Sequence, residues 1–316
     1  MSSFYVNGNI VKCEGSMSLL RYLRDELRLT SVKDGCSEGA CGTCTVIIDG
    51  RAMKACVQRT DRLGGKHIIT TEGLSAFEKE AYVYAFGHAG AVQCGFCTPG
   101  MVMAAKALLD KESDPSEDEI RRALRGNICR CTGYVKIVDA VRLAARLLRK
   151  GKIPESGESW AVGSRVPRLD VREKALGYGE YTDDMYIDGM AYASALRAKY
   201  PRARILKIDT EKAKAADGII AVFTAKDIPG QNKVGHLKKD WDTMIAEGDC
   251  TRYLGDAVAL VVGETPEAVE AAKALISVDY EELTPIRNAY EAMAEDAPML
   301  HEGGTLLAHK HVSRGD

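Results

Sequence analysis

Along the chain, the pattern of apolar and polar positions changes rhythm twice. In the first 74 residues the apolar positions mostly alternate. SSFYVNGNIVKC holds two short runs separated by Asn7-Gly8, the turn dipeptide of a tight hairpin, and CTVIIDGRAMKAC repeats the arrangement around Asp49-Gly50. Between them, Leu20, Leu23 and Leu27 of SLLRYLRDEL recur at helical spacing. The stretch from Lys33 to Thr45 follows neither period, is rich in glycine and cysteine, and reads as a loop. From about Ser75 to Lys150 the period becomes helical. PGMVMAAKALLD opens on a proline, a residue suited to a first helical turn, and Ser116 and Glu119 have capping-box spacing ahead of Ile120 and Leu124. A last helix is predicted from about Tyr134, with Ile137, Val138, Val141 and Leu148 on its apolar side.

Residues 151–168, GKIPESGESWAVGSRVPR, are rich in Gly, Ser and Pro and predict a linker. Beyond them, ARILKID, GIIAVFTA and AVALVVGE predict strands, and TPEAVEAAKAL predicts an amphipathic helix. The expected fold class is therefore α+β and multidomain: a β-rich domain over 1–74, a helical domain over 75–150, the linker, an α/β domain over 169–290 and a tail over 291–316. No internal repeat or low-complexity tract is evident.

Composition narrows the function. With 46% hydrophobic residues, 28% charged and a net charge of −2, the chain lacks the basic excess of a nucleic-acid binder. No apolar run approaches the roughly 18 residues needed to cross a bilayer. The opening MSSFYVNGNIVKCEG lacks the basic-then-apolar pattern of a secretory signal, so a cytoplasmic location is expected. In a reducing compartment the ten cysteines are then better read as metal ligands than as disulfides. They cluster accordingly: Cys36, Cys41, Cys44 and Cys56 form one group, and Cys94, Cys97, Cys129 and Cys131 another. Cys13 and Cys250 stand alone and read as small buried or half-buried residues without chemistry.

The first group has the C-x4-C-x2-C…C spacing of a plant-type [2Fe–2S] site. Three thiolates on one tight loop can wrap a cluster while the fourth arrives from a neighbouring strand. Gly35, Gly39 and Gly42 are expected to take positive φ values that turn backbone N–H groups toward the sulfurs. A structural zinc site also favours four thiolates but usually takes them as two C-x2-C pairs. The second group, QCGFCTPG followed by RGNICRCTGY, combines C-x2-C with C-x-C, and taken alone it suits zinc or iron. Two thiolates so close in sequence would sit most easily on one iron of a two-iron cluster.

These two motifs, in this order, resemble the xanthine dehydrogenase and aldehyde oxidoreductase family of molybdenum hydroxylases, and the resemblance covers nearly the whole chain. It implies a β-grasp ferredoxin domain and a four-helix bundle, each holding one [2Fe–2S] cluster. Cys36, Cys41, Cys44 and Cys56 match the distal cluster's ligands, and Cys94, Cys97, Cys129 and Cys131 those of the cluster nearer molybdenum. Gln93 matches the glutamine that contacts the pterin of the molybdenum cofactor; its plainer reading is a helix-terminal surface amide. KALGYGEYTDDMYIDGMAYASALRAKYPRARILKID and RYLGDAVALVVGETPEAVEAAKALISVDYEEL resemble the family's α/β hammerhead domain. Within that region Tyr181, Asp183 and Asp184 read as turn and packing residues, Glu281-Glu282 as a solvated strand end, and His309 and His311 as exposed.

Many family members insert a flavin domain where this chain has only the short linker, and the sequence contains no G-x-G-x-x-G or Walker-type loop in its place. The layout thus resembles flavin-free aldehyde oxidoreductases and selenium-dependent xanthine dehydrogenases. No FAD is expected, and electrons would leave to a flavin subunit or another carrier. The chain stops at HVSRGD, where family members continue into molybdopterin-binding domains; a truncated frame, a fragment or a genuine split would each account for this. The leading expectation is an electron-relaying oxidoreductase component. It would work with molybdopterin-binding domains or a molybdopterin subunit, and the complete enzyme would act on a purine or an aldehyde. The alternatives are a stand-alone double [2Fe–2S] carrier and a zinc-stabilised scaffold.

Overall fold

The structure, a computed structural model, describes residues 2–155, 161–164, 166–236, 238–301, 304–306 and 308–315, apart from the side chain of Asp183. The chain divides into two compact units, Met1–Met185 and Tyr186–Asp316.

The first unit begins with the two predicted hairpins. Strands β1 (Ser2–Val6) and β2 (Asn9–Cys13) turn at Asn7 and Gly8, and β3 (Thr45–Ile48) and β4 (Arg51–Lys54) turn at Asp49 and Gly50. All four turn residues have positive φ, as this turn type requires. With β5 (His67–Ile69) they form one sheet in the order β2-β1-β5-β3-β4, parallel between β1 and β5 and antiparallel elsewhere. Against it lies the predicted leucine helix, as a short turn α1 (Leu19–Arg21) running into a π-helical Tyr22–Glu26. Phe4, Leu19, Leu23, Val46 and Ile68 fill the space between helix and sheet. A helix packed on a mixed sheet of this order is the β-grasp arrangement that the resemblance implied.

Four helices follow: α2 (Ala76–His88), α3 (Thr98–Leu109), α4 (Glu117–Leu124) and α5 (Val135–Lys150). Capping boxes at Ser75/Glu78 and Ser116/Glu119 satisfy the first N–H groups of α2 and α4. Gly151 ends α5 in the left-handed conformation. Tyr82, Phe86, Met101, Met103, Ile120, Ile137 and Val141 meet in the core.

One stretch lies elsewhere than the sequence pattern places it. Residues 171–185 fall in the region assigned to the third domain, yet they pack within the first unit. Helix α6 (Val171–Leu176) buries Ala175 and Leu176 completely, and the Thr71 hydroxyl donates to the Leu176 carbonyl at 2.7 Å. Gly177 then turns with φ +85° directly against the Ser31 backbone, where a side chain has no room. Asp184, expected to be a turn residue, closes a buried ion cluster: its carboxylate lies 2.8 Å from Lys33 Nζ and 2.5 Å from Arg24 Nη2. Lys33 is 1% exposed. The middle of the predicted linker, 156–160, lies outside the described residues.

In the second unit, Tyr192–Arg197, Ala257–Gly263 and Ile219–Thr224 form an antiparallel sheet with the Ala257–Gly263 strand central. Helix Pro266–Lys273 packs on it through Val269 and Ala272. Ala203–Asp209 pairs with Ser277–Glu282, and Ala198, Ile205, Ile245 and Val258 form a second small core. Glu281 and Glu282 are exposed at the strand end, as are His309 and His311 in the tail. Among the described residues, no helix is long and apolar enough to cross a membrane.

The Asp184 cluster gives a stability test. Burial alone would raise the Asp184 carboxyl, but its bonds to Lys33 and Arg24 outweigh this and hold it below the ordinary carboxylate value. Asp184→Asn leaves buried Lys33 without a counter-charge and should cost about 3 kcal/mol in denaturant unfolding at neutral pH. Because the folded value is depressed, the gap between wild type and variant should be full above the ordinary carboxylate pKa of about 4 and close as pH falls through the folded value.

Candidate metal centres

The first group of thiols occupies the loop before β3, with Cys56 contributed by the turn just after β4. The thiols come together as two pairs. Cys41 N–H donates to Cys36 Sγ at 3.4 Å, and the Cys36 and Cys41 side chains contact each other, as do those of Cys44 and Cys56. Gly39 and Gly42 have φ +80° and +72°, as expected. Gly35 does not take positive φ. It is glycine for lack of space, since a Cβ there would meet Thr43 Cγ2 at 2.9 Å and Cys41 Sγ at 3.1 Å. Lys54 Nζ ties the loop down by donating to the Gly39 carbonyl at 2.7 Å and the Ala40 carbonyl at 3.2 Å. N–H groups of Cys41 and Glu38 directed at Cys36 lower its thiol to about 7, whereas burial pushes Cys44 up to about 12. The loop thus favours negative charge at Cys36, while burial pushes Cys41 up and keeps water from Cys44.

The second group sits where two helices start. Cys94 and Cys97 precede α3, and Cys129 and Cys131 precede α5, so partly positive helix ends face the thiols. The pairing differs from the sequence reading. Cys129 and Cys131 do not share one partner site: Cys131 Sγ lies 3.6 Å from Cys94 Sγ, while Cys129 meets Cys97. Residues two apart on this turn face different ways, because the Tyr134 hydroxyl holds Cys129 N–H at 2.9 Å and leaves Cys131 exposed. Tyr134 adopts φ +71° to return its ring there, a strained backbone at the head of α5. Burial pushes the Cys97 thiol up. Burial opposes ionisation of Cys129 too, but the Thr132 hydroxyl 3.2 Å away and neighbouring N–H groups leave it lowered. The Cys94/Cys131 pair is exposed, whereas Cys129 is buried and Cys97 half-buried.

Two sulfurs on one tetrahedral metal with bonds of about 2.3 Å lie about 3.8 Å apart, and the Cys94–Cys131 separation of 3.6 Å has that spacing, while the other three pairs are in side-chain contact. Among the described residues, no three His, Cys, Asp or Glu side chains converge as a mononuclear site would require. Two pairs, each for its own metal, is the donor set of a two-iron cluster rather than of one zinc. The residues present therefore fit a [2Fe–2S] group at both places.

The two loops are locked together. Ile128 N–H, adjacent to Cys129, donates to the Cys41 carbonyl at 2.8 Å. Thr43, between Cys41 and Cys44, donates its hydroxyl to the Phe96 carbonyl at 2.8 Å. Buried Asn127 gives its amide to the Gly42 carbonyl at 2.8 Å and to Thr45 Oγ1 at 3.0 Å. Gly42 abuts the Gly126 carbonyl, and a Cβ on Gly100 would come within 2.7–2.8 Å of the Thr43 and Gly42 carbonyl oxygens. Sequence reasoning found all eight thiols but missed Thr43, Asn127 and Tyr134; the last two stand inside the RGNICRCTGY motif, where only the cysteines carried recognisable chemistry. Gln93 is exposed beside Cys94, Cys13 is buried in the sheet domain, and Cys250 is half-buried.

Comparison with known proteins agrees with this layout. Residues 3–80 match the 2Fe-2S iron-sulfur cluster binding domain, 70–142 the [2Fe-2S] binding domain, and 176–284 the aldehyde oxidase and xanthine dehydrogenase a/b hammerhead domain. The aldehyde oxidoreductase of Megalodesulfovibrio gigas is 37% identical over 307 residues, 89% of this chain and 33% of that protein. The nicotinate dehydrogenase small FeS subunit of Eubacterium barkeri is 52% identical over 132 residues, 42% of this chain and 84% of that subunit. The crystal structure of the aldehyde oxidoreductase from Desulfovibrio desulfuricans ATCC 27774 superposes with a TM-score of 0.81 at 35% identity, covering 96% of this chain and 36% of that one. The chain thus spans about a third of the length of the aldehyde oxidoreductases it matches.

The interlock makes Gly42 a sensitive position, since alanine there would combine a positive-φ strain with a collision against the Gly126 carbonyl. Gly42→Ala should destabilise the first unit by about 2–5 kcal/mol, read as a lowered melting temperature and a reduced iron content. A wild-type melting curve would show that the two loops do not depend on this close approach.

Proposed function

The chain belongs to the xanthine dehydrogenase and aldehyde oxidoreductase family, an oxidoreductase family, and carries its two 2Fe-2S binding domains and hammerhead domain; from that premise we propose that it relays electrons out of a molybdopterin site to an external acceptor. The observation that carries the reading is the pairing of thiols into an exposed and a covered pair at the second site, joined through Cys129 and Ile128 to the loop of the first.

On this reading Cys36, Cys41, Cys44 and Cys56 hold one cluster and Cys94, Cys97, Cys129 and Cys131 the other. When bound, each supplies a one-electron store. The protein's own groups do the rest. N–H groups of Cys41 and Glu38 direct positive charge at Cys36, and the Thr132 hydroxyl does so at Cys129. Burial keeps water from Cys44 and Cys97. The exposed Cys94/Cys131 pair faces the donor, and the Ile128-to-Cys41 hydrogen bond completes a continuous link of covalent and hydrogen bonds between the two loops. Gln93, exposed next to Cys94, would contact the pterin of a molybdenum cofactor held by partner domains or a partner subunit. A purine or aldehyde would be hydroxylated in that complete enzyme, and the acceptor would be a flavin subunit or another carrier, since no FAD-binding loop is read in this sequence. A cytoplasmic location keeps the thiols reduced.

Anaerobically purified chain should contain four irons with matching labile sulfide, and dithionite should develop two distinct half-spin resonances. Cys97→Ser should abolish one resonance and leave the other. A single resonance in the unsubstituted chain, or zinc at the second site, would overturn the relay.

A further inference from the structure

The segment that follows the bundle crosses the second thiol group. The Tyr181 hydroxyl donates to the Cys94 carbonyl at 2.8 Å, and its ring meets Phe96 edge-on with centroids 5.0 Å apart. Lys174 Nζ stands 3.9 Å from the centre of the Tyr181 ring. The aliphatic stem of Lys174 lies across Gly95, so that a Cβ on that glycine would come within 2.6–2.9 Å of Lys174 Cβ, Cγ and Cδ. The neighbouring cations each have a carboxylate partner: Arg168 pairs with Asp170, Arg172 with Glu80, and Lys33, 4.9 Å from the same ring, with Asp184 at 2.8 Å. Lys174 is thus half-buried, with its stem on Gly95 of the C-x2-C turn and its ammonium on the ring of a tyrosine that is itself tied to Cys94.

We propose that residues 168–184 form an electrostatic strap, in which Lys174, positioned by Tyr181, raises the reduction potential of the bundle cluster relative to that of the ferredoxin domain. Reduction adds one negative charge to the cluster. A nearby cation in a partly desolvated setting stabilises that charge, and net charge around a cluster is one of the levers that set its potential. The Tyr181 hydroxyl offsets the Cys94 carbonyl dipole and keeps the ring, and with it the ammonium, in place. Both are positioning residues and neither is a ligand. The inference rests on the assignment of Cys94, Cys97, Cys129 and Cys131 to a cluster.

The test is a redox titration of the full 316-residue chain followed by electron paramagnetic resonance, with the ferredoxin-domain signal as internal reference. Lys174→Met keeps the stem and removes the charge. It should lower the reduced-to-oxidised ratio of the bundle cluster about threefold at a fixed poise, about 30 mV for a one-electron couple, and leave the other signal in place. Lys174→Arg should restore the wild-type value. Tyr181→Phe should shift the bundle cluster in the same direction by less, and it tests the strap independently if Lys174→Met fails to assemble. An unshifted bundle potential with both signals present would overturn the inference alone, as would equal shifts of both clusters or an arginine variant indistinguishable from methionine. Absence of the second signal from the unsubstituted chain would instead overturn the cluster assignment, and this inference with it.

Discussion

The close approach of two backbones around Gly42 is the constraint on which the rest of the first unit depends. Gly42 meets the Gly126 carbonyl, Gly100 lies under the carbonyls of Gly42 and Thr43, and Asn127 places its amide in the remaining space. A side chain at Gly42 or Gly100 would hold a β-grasp loop and a helix start apart. With glycine at both positions, the Ile128 N–H can bond directly to the Cys41 carbonyl. Thr43 and Ile128 complete the contact from opposite sides, and each stands within one residue of a thiol. The same interactions that fix the two domains as one compact unit also fix the separation and orientation of the two thiol groups. Stability and the placement of the two thiol groups are here one packing problem.

Within that frame, electrostatics falls to backbone and helix ends more than to charged side chains. The second thiol group faces the starts of α3 and α5, and the first is met by N–H groups turned inward by the positive-φ residues Gly39 and Gly42. Such groups cannot swing away or be neutralised by a passing counter-ion, so they hold a fixed field around whatever charge the thiolates carry. Tyr134 shows how far the chain goes to keep this arrangement. A bulky residue sits at positive φ so that its hydroxyl can hold the Cys129 N–H and accompany the Asn127 carbonyl at 3.3 Å.

The hairpin turns, both capping-box positions around Ser116 and the helical period from Ser75 onward were legible because each is a local code, read from residues no more than four apart. So were the eight thiols, whose spacing is itself the signal. Three things were not. The pairing of Cys97 with Cys129 and of Cys94 with Cys131 depends on how two helix starts meet, which no spacing within C-x-C encodes. Gly35 is restricted by the Thr43 and Cys41 side chains rather than by its own φ, and sequence cannot tell these two reasons for glycine apart. Asp184 looks like any turn aspartate until Lys33 and Arg24, some 150 residues earlier in the chain, are found beside it at 2.8 and 2.5 Å. The first and last are contacts between segments distant in sequence, and the second is set by how one loop folds on itself; the local pattern of residues encodes neither.

That long-range contact also explains why residues 171–185 pack away from the domain whose sequence pattern they share. A lysine as buried as Lys33 is costly without a counter-charge, and Asp184 supplies it only if the chain travels back across the bundle. The path between is then set: Leu176 enters an apolar seat, Gly177 passes the Ser31 backbone, and Tyr181 arrives at Cys94. Anchored at one end by burial and at the other by an ion cluster, the segment has little freedom to leave the C-x2-C turn. A strap held this way can keep one cation at a constant distance from the second thiol group. A surface lysine on a free loop would be averaged over many positions and screened by salt.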